Sequence, residues 1–126
     1  MLVLDTHAAL WWSADPKRLS ARAVSAIEAA EKLGVPSIVF WEISLLVRKG
    51  KLALAMPVAE WAEKLCRIRR VAEIPLTMDI AILADSLAMH PDPADRFIVA
   101  SAIKHQAPLV TRDRLIRRLK LVQAVW

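Results

Sequence analysis

Cysteine and glycine are both scarce in this chain. Cys66 is the only cysteine among 126 residues, which excludes an intramolecular disulfide and a zinc site built on cysteines. Gly34 and Gly50 are the only glycines, so the sequence has no glycine-rich loop of the kind that holds phosphate groups. The three histidines lack the i, i+4 spacing of a helical metal site. These absences argue against disulfide-rich proteins, zinc proteins and phosphatases built on a glycine loop.

Long apolar runs are missing as well. No uncharged stretch approaches the roughly 18 residues that a transmembrane helix needs. A secretory signal needs a basic start and an uninterrupted apolar run, but no basic residue precedes the first apolar segment and Asp5 interrupts it. We therefore expect no membrane association and a cytoplasmic location.

Apolar residues as a class are nevertheless abundant. They make up 56% of the chain and include five tryptophans. A chain of this length fits one domain, which we place over residues 1–126. The apolar fraction is high for a domain that stands alone, so we expect a partner to cover part of the surface and predict a homodimer.

Positive charge is in excess and unevenly distributed. The formal net charge is +5, and many of the basic residues form three clusters. Such clusters favour a polyanionic partner, above all nucleic acid, although exposed helix faces that only confer solubility give the same pattern. The clusters are Arg48, Lys49 and Lys51; Arg67, Arg69 and Arg70; and Arg112, Arg114, Arg117, Arg118 and Lys120.

Short apolar segments alternate with segments that have the apolar spacing of helices. This alternation predicts an α/β domain with a mostly parallel sheet. We expect Thr6 and Ser20 to cap the first two helices and Gly34 to end the second. The predicted strands are residues 1–5, 35–40, 71–76, 107–111 and 121–125, and the predicted helices are residues 6–14, 20–33, 41–49, 57–69, 78–89, 94–105 and 112–120.

Four carboxylates fall at the boundaries of these elements. Asp5 and Asp113 follow strands, whereas Asp95 and Glu42 open helices, Glu42 directly after a strand. The carboxyl ends of parallel strands lie at one edge of a sheet, and ligands gather there in open α/β folds. The four side chains are therefore able to converge, although they lie far apart in sequence.

Converging carboxylates need a compensating charge. Two of them about 4 Å apart repel by roughly 4 kcal/mol at an effective dielectric constant near 20. A hard divalent cation such as Mg²⁺ or Mn²⁺ removes that repulsion, and beside a basic rim such a site suits the cleavage of phosphodiester bonds. The alternative is that each acid is only a helix cap or an ion-pair partner.

The stretch HPDPADR, residues 90–96, contains two aspartates with different predicted roles. Pro93 disfavours helical geometry at the residue before it, so Asp92 should lie in a loop, as a cap or a peripheral ligand. Asp95 should lie in the first helical turn, where the positive end of the helix favours its charge. We therefore place Asp95, and not Asp92, in the predicted metal site.

Several segments together resemble the PIN-domain ribonucleases, and specifically the VapC-like toxins of bacterial toxin–antitoxin pairs. LVLDTHAALWW resembles the opening strand and first acid of that family, and PSIVFWEISLLVRKGKL resembles its serine–glutamate helix. DPADRFIVASA resembles its third acid motif and PLVTRD its fourth. The resemblance runs along nearly the whole chain, and the order Asp, Glu, Asp, Asp is specific in combination.

By this resemblance, Asp5, Glu42, Asp95 and Asp113 are the catalytic and metal-binding residues. It implies a PIN-like three-layer domain, with a mostly parallel central sheet and helices on both sides. It also implies an endoribonuclease that depends on Mg²⁺ or Mn²⁺, acts as a toxin on RNA and has a cognate antitoxin as partner. The rival interpretation is a non-catalytic module that binds RNA or a protein on the same fold.

Other side chains near these motifs have two interpretations each. Thr6 and Thr111 are predicted either to support the acid site or to serve only the local fold, and Ser37 either to orient Glu42 or to serve in a turn. We expect Arg96 to form a structural ion pair with a nearby acid. The candidates that we favour as structural side chains rather than RNA contacts are His7, His90, Trp11, Trp12, Trp41 and Trp61.

Overall fold

Strands and helices alternate along the whole chain, as the sequence predicts. A computed structural model describes residues 1–126. None of its helices is long and apolar enough to cross a membrane. The strands are β1 (Leu2–Leu4), β2 (Leu33–Pro36), β3 (Val71–Ile74), β4 (Leu109–Val110) and β5 (Ala124–Val125), and the α-helices are α1 (Thr6–Ala14), α2 (Ala21–Ala29), α3 (Ser37–Arg48), α4 (Val58–Arg67), α5 (Met78–Ser86), α6 (Pro93–Lys104) and α7 (Arg114–Leu119).

The five strands form one sheet in the order β3-β2-β1-β4-β5, and every pair is parallel. In the centre, Val3 of β1 is in register with Gly34 of β2 on one side and with Leu109 of β4 on the other. The strand order therefore reverses at β1. The carboxyl ends of β1 and β4 flank this reversal, which is where open α/β sheets bind ligands. The predicted α/β fold with a parallel central sheet is confirmed.

One hydrophobic core of 28 buried residues joins the sheet to the helices around it. Leu4, Leu33 and Leu109, one from each of the three central strands, are completely buried. Burial of a side chain of this size stabilises the fold by about 1.5–3 kcal/mol relative to leaving it exposed. The central strands are thus rigid, and the residues that follow them are held in fixed positions.

The prediction of a helix over residues 20–33 followed by a strand over residues 35–40 is wrong at its boundary. Helix α2 ends at Ala29, the strand begins at Leu33, and helix α3 begins at Ser37. The β-branched and aromatic residues after Ser37 have a high strand propensity, but tertiary packing overrides such a preference. The other predicted elements are present, with ends shifted by up to four residues.

Gly34 has a different role from the predicted helix end. It lies in β2, beside β3, and a Cβ at this position would come within 2.6 Å of Ile74 Cδ1. A glycine therefore allows these two strands and their side chains to pack closely.

The predicted N-terminal cap is correct for α2 but not for α1. Ser20 caps α2, because its Oγ accepts a hydrogen bond of 3.0 Å from the backbone N–H of Ala23. The prediction that Thr6 caps α1 is wrong. The cap is Asp5, whose Oδ1 accepts a hydrogen bond of 2.8 Å from the N–H of Ala8. The first helix thus begins with a carboxylate fixed at the carboxyl end of the central strand.

Candidate active site

Asp5 lies at the centre of the acidic site. This residue is only 9% exposed, and its burial raises the pKa of the carboxyl from 3.8 to about 6. Hydrogen bonds from the Thr111 hydroxyl and the Ala8 N–H lower this pKa, whereas the negative charges of Asp95 and Glu42 raise it further. Acids that are distant in sequence are therefore close enough to influence one another.

Asp113 follows β4, the strand next to β1. Its Oδ1 caps α7 by accepting hydrogen bonds from the backbone N–H groups of Leu115, at 2.8 Å, and Ile116, at 3.0 Å. Its own N–H donates to Thr111 Oγ1 at 3.1 Å. Thr111 is completely buried at the end of the strand, so it supports the segment that carries Asp113.

Asp92 and Asp95 occupy the positions that the sequence predicts. Asp92 caps α6 by accepting a hydrogen bond of 3.3 Å from the Asp95 N–H, and Pro93 is the first helical residue. Asp95 Oδ2 lies 2.7 Å from Nε2 of His90. Burial raises the pKa of the Asp95 carboxyl, the hydrogen bond from His90 opposes that rise, and the charges of Asp92 and Asp113 add to it.

Glu42 does not open a helix, contrary to the prediction. It lies in the second turn of α3, which begins at Ser37. Burial raises the pKa of its carboxyl, the nearby Thr6 hydroxyl opposes the rise and the charge of Asp92 adds to it. Ser37 does not orient Glu42, because its Oγ donates to Glu73 Oε1 at 2.8 Å.

One cavity of about 400 Å³ brings the four predicted carboxylates together. Within this region, His90, Asp95 and Asp113 form the tightest group, since one potential ligand atom from each lies within 4.8 Å of the others. Nothing local in the sequence indicates the contact of His90 with Asp95, which depends on the path of the loop between α5 and α6. The cavity is lined by Asp5, Thr6, His7, Trp11, Glu42, Asp92, Asp95, Ile98, Arg112 and Asp113.

The chemistry of the cavity fits a hard divalent cation. Carboxylate oxygens are the donors that Mg²⁺ and Mn²⁺ prefer, and the raised pKa values of Asp5, Glu42 and Asp95 indicate surroundings that disfavour negative charge without a cation. Thr6 Oγ1 is buried in the cavity wall and makes no hydrogen bond of ordinary geometry, although it lies close enough to Glu42 to lower its pKa. A buried hydroxyl in that state suits a bound water or ligand.

Arg96 does not form the predicted ion pair. Its guanidinium donates only to backbone carbonyls, at 2.7–3.2 Å. These carbonyls belong to the end of α5 and to the loop before α6, so Arg96 fixes the loop that carries His90. The five acceptors are the carbonyl oxygens of Ala84, Asp85, Leu87, Met89 and His90.

The tryptophans divide between the core and the surface. Trp11 and Trp61 are buried, as predicted, with 6% and 5% of their surfaces exposed. Trp12 is half-buried and packs against the core. Trp41, in contrast, is 51% exposed on α3.

Comparison with known proteins gives agreement in both sequence and fold. The PIN domain profile matches residues 2–121. Ribonuclease VapC22 of Mycobacterium tuberculosis is 42% identical over 118 residues, which cover 92% of this chain and 89% of that protein. The profile match extends across all four carboxylates, so it includes the whole acidic site.

Two solved structures have the same fold at low sequence identity. VapBC2 from Rickettsia felis, bound to a DNA fragment from its promoter, gives a TM-score of 0.70 at 16% identity and covers 98% of this chain and 96% of that one. VapC20 of Mycobacterium tuberculosis, a toxin that cleaves the sarcin–ricin loop, gives 0.68 at 17% identity and covers 98% of both chains. The fold, the matched length and the identity to VapC22 together place this chain in the PIN-domain family, among its VapC-like members.

Proposed function

We propose that this chain is the toxin of a bacterial toxin–antitoxin pair and a metal-dependent endoribonuclease that hydrolyses phosphodiester bonds of RNA. The observation that carries the proposal is the convergence of Asp5, Glu42, Asp95 and Asp113 on one cavity at the switch point of a parallel sheet. The relative that shares 42% identity is named a ribonuclease. A neighbour with the same fold is described as a toxin that cleaves the sarcin–ricin loop.

The four carboxylates are the proposed ligands of one or two Mg²⁺ or Mn²⁺ ions. In three of them a protein group already holds one carboxylate oxygen. Asp5 Oδ1 accepts from a backbone N–H, Asp113 Oδ1 accepts from two, and Asp95 Oδ2 pairs with the imidazole of His90. Side chains held in this way need little reorganisation when they bind a ligand.

The chain's own groups would position both water and RNA at this cavity. When bound, a divalent cation supplies Lewis acidity, which stabilises charge on a phosphate and makes water a stronger acid. The buried Thr6 hydroxyl, which makes no hydrogen bond of ordinary geometry, is placed to hold a water molecule beside the carboxylates. The exposed Arg112 lines the same cavity and supplies positive charge for the RNA backbone.

An RNA cleavage assay tests this proposal directly. The wild-type protein should cut RNA with Mg²⁺ or Mn²⁺ and should not cut it with a chelator. Asp5→Asn should lose at least about 100-fold in rate, because it removes a proposed ligand of the cation. Glu31→Gln, which removes an exposed acid at the amino end of β2, is the matched control and should cut at the wild-type rate.

Two outcomes would contradict the proposal in different ways. If Asp5→Asn cuts as fast as the wild type, the catalytic site lies elsewhere. If the wild-type protein binds RNA but cuts none of it with either metal, the chain is a non-catalytic binding module on the same fold.

An antitoxin is the proposed protein partner. The cavity is lined by five carboxylates, so an arginine side chain of a partner would find complementary charge there and would exclude the cation. Two solved structures with this fold are VapBC2 of Rickettsia felis, bound to a DNA fragment, and a toxin–antitoxin complex from Klebsiella pneumoniae. We expect this partner to cover the cavity and inhibit cleavage.

A further inference from the structure

A cluster of cationic side chains surrounds Trp11 at the rim of the acidic cavity. The guanidinium carbon of Arg18 lies 5.0 Å from the centroid of the indole ring, and that of Arg112 lies 5.6 Å from it. Both distances are within the range of cation–π attraction. The rings of His7 and Trp126 lie 5.2 Å and 5.9 Å from that of Trp11, which is itself almost completely buried. The indole is therefore a rigid platform for the two guanidinium groups.

Neither guanidinium has an anionic partner in the protein. Arg112 lines the same cavity as five carboxylates, yet no carboxylate oxygen lies within 4.0 Å of it, and the same holds for Arg18. Neither donates a hydrogen bond to any protein atom, whereas Arg70 and Arg96 donate to backbone carbonyls. The five N–H donors of each free guanidinium thus remain available to a ligand.

The surroundings of these two groups favour an anion. Arg18 and Arg112 both lie near one indole, and an anion bound by both would offset the repulsion between their like charges. The arrangement contrasts with the acidic floor of the same cavity.

We propose that Arg18 and Arg112 bind a phosphate of the RNA backbone next to the phosphate that is cut. The proposal rests on the proposed nuclease function and adds a second contact site for its substrate. The planar guanidinium matches two phosphate oxygens at once, and stacking on an aromatic ring keeps it in place. Arg112 directly precedes Asp113 in sequence, so the bound phosphate lies within about one nucleotide of the acids. Contacts of this kind fix the position of a nucleic acid without reading its sequence.

The salt dependence of RNA binding tests this site. A short, labelled, single-stranded RNA is titrated at several KCl concentrations, with fixed Mg²⁺ and in an Asp5→Asn background that prevents cleavage. Arg112→Gln and Arg18→Gln should each weaken binding about 10-fold at low salt. Each should reduce the slope of log K against log salt by about 0.7, and the double variant by about 1.4. Arg69→Gln, with the same loss of charge just before β3, should change neither quantity.

Two further readouts separate a substrate contact from a purely structural role. With Asp5 intact, Arg112→Gln should raise KM for RNA about 10-fold and leave kcat nearly unchanged, as expected when binding is lost equally in the ground state and the transition state. Its melting temperature should rise on addition of Mn²⁺ as much as that of the wild type. Arg112→Lys should restore the salt slope, because the charge is kept, but not the full affinity, because the planar fork is lost.

The possible results are distinct. If Arg18→Gln and Arg112→Gln both keep the salt slope of the wild type, the phosphate site is wrong. The nuclease proposal would still survive that result, provided that Asp5→Asn abolishes cleavage. A slope that falls only when Arg114, Arg117 and Arg118 are changed together would place the RNA along α7 and overturn the rim site. If the arginine variants bind RNA normally but no longer bind a purified antitoxin, the two arginines contact a protein partner instead of RNA. A wild-type protein that neither binds nor cuts RNA would overturn both proposals.

Discussion

At the scale of single residues, the acidic cavity holds three carboxyl groups in surroundings that favour their protonated form. Burial is the largest cause of the raised pKa for Asp5, Glu42 and Asp95 alike. A protein that kept these groups only for stability would gain from apolar or amide side chains at the same positions. A bound cation would stabilise the charged form, so proton binding and metal binding compete at this site.

The metal-free protein should lose stability as the pH rises from about 4 to about 6. In this window the folded state keeps the proton on Asp5, whose pKa is about 6, whereas the unfolded side chain, with an ordinary pKa of 3.8, has lost it. The folded state then binds more protons, so the free energy of unfolding falls with increasing pH. The loss due to Asp5 is about 3 kcal/mol at most, and urea denaturation in the presence of a chelator measures it.

Two controls accompany this measurement. Asp5→Asn should flatten most of the pH dependence, whereas Glu31→Gln should leave it as in the wild type. Saturating Mn²⁺ should reverse the trend, because the cation binds the ionised carboxylates of the folded state. A metal-free protein whose stability is constant or rises over this pH range would show that Asp5 is not in the environment described here.

Asp92 and Asp95 should respond differently to mutation. Asp95→Asn removes one charge from a crowded cavity and keeps an oxygen for His90, so the metal-free melting temperature should hold or rise, while the increase on adding Mn²⁺ should shrink. Asp92→Ala removes a helix cap and should lower the stability by about 1 kcal/mol. Asp92→Ala should also keep most of the response to metal. If both variants lose the Mn²⁺-dependent rise in melting temperature equally, Asp92 is a direct ligand of the cation.

At this scale the sequence predicts positions better than contacts. Asp5 and Asp113 follow apolar segments, and Pro93 separates the roles of Asp92 and Asp95, so local patterns suffice for these residues. The partner of Arg96 could not be predicted in the same way, because its acceptors are backbone carbonyls exposed by the end of α5. Such contacts depend on the path of the chain in three dimensions.

At the scale of elements, α5 and α6 are joined by one side chain. Helix α5 ends at Ser86 without a backbone hydrogen bond at its C-cap residue, which would leave carbonyls of its last turn without donors. Arg96 of α6 supplies the missing donors, with bonds of 2.9 Å to Ala84 O and 3.2 Å to Asp85 O. It also donates to His90 O at 3.1 Å. The same guanidinium therefore ends one helix and fixes the loop before the next.

Removal of this guanidinium should destabilise the protein strongly. Arg96→Met leaves several half-buried carbonyls unpaired, and we expect a loss of about 3 kcal/mol in the free energy of unfolding. Arg96→Lys, which can reach fewer acceptors from one ammonium group, should lie between this variant and the wild type. Urea denaturation measures both. Arg22→Met on the exposed face of α2 is the control, and an equal loss there would remove any special role for Arg96.

The segment between α2 and α3 shows why element boundaries were harder to predict than element types. Ile38, Val39 and Phe40 are residues typical of strands, and the preceding Leu33 completes an apolar helical pattern. In the structure Leu33 belongs to a strand and residues 38–40 belong to a helix. Leu33 pairs in register with Leu2 of the central strand and with Val71 of β3. Pairing of this kind between distant segments leaves no trace in local spacing.

At the scale of the whole molecule, exposed apolar side chains point to self-association. Met78 and Ile82, one helical turn apart on α5, are 80% and 66% exposed, and residues at this spacing share one face of a helix. We predict a homodimer that buries such surfaces. Sedimentation at several concentrations should show the dimer for the wild type and a shift to monomer for Ile82→Glu. A wild-type protein that is strictly monomeric at tens of micromolar, roughly where an 8 kcal/mol interface would be saturated, would contradict the prediction.

Leu115→Glu is the matched control for this experiment. Leu115 is 53% exposed on α7, so the same new charge is placed on a different surface and the dimer should persist. If Leu115→Glu dissociates the protein and Ile82→Glu does not, the interface lies at α7 instead of α5.

The strand order has a consequence for the time at which the site can form during synthesis. The central strand β1 is made first, but its neighbour β4 and the cap Asp113 come from the last part of the fold. Until residues 109–113 have left the ribosome, β1 has one unpaired edge and the cavity lacks one of its four acids. Chains grow at about 5–20 residues per second and domains fold as units, so a partly made chain holds no complete acidic site. A cell that makes this protein would therefore meet the proposed nuclease only after residues 109–113 have emerged, at a stage when a partner is able to bind it at once.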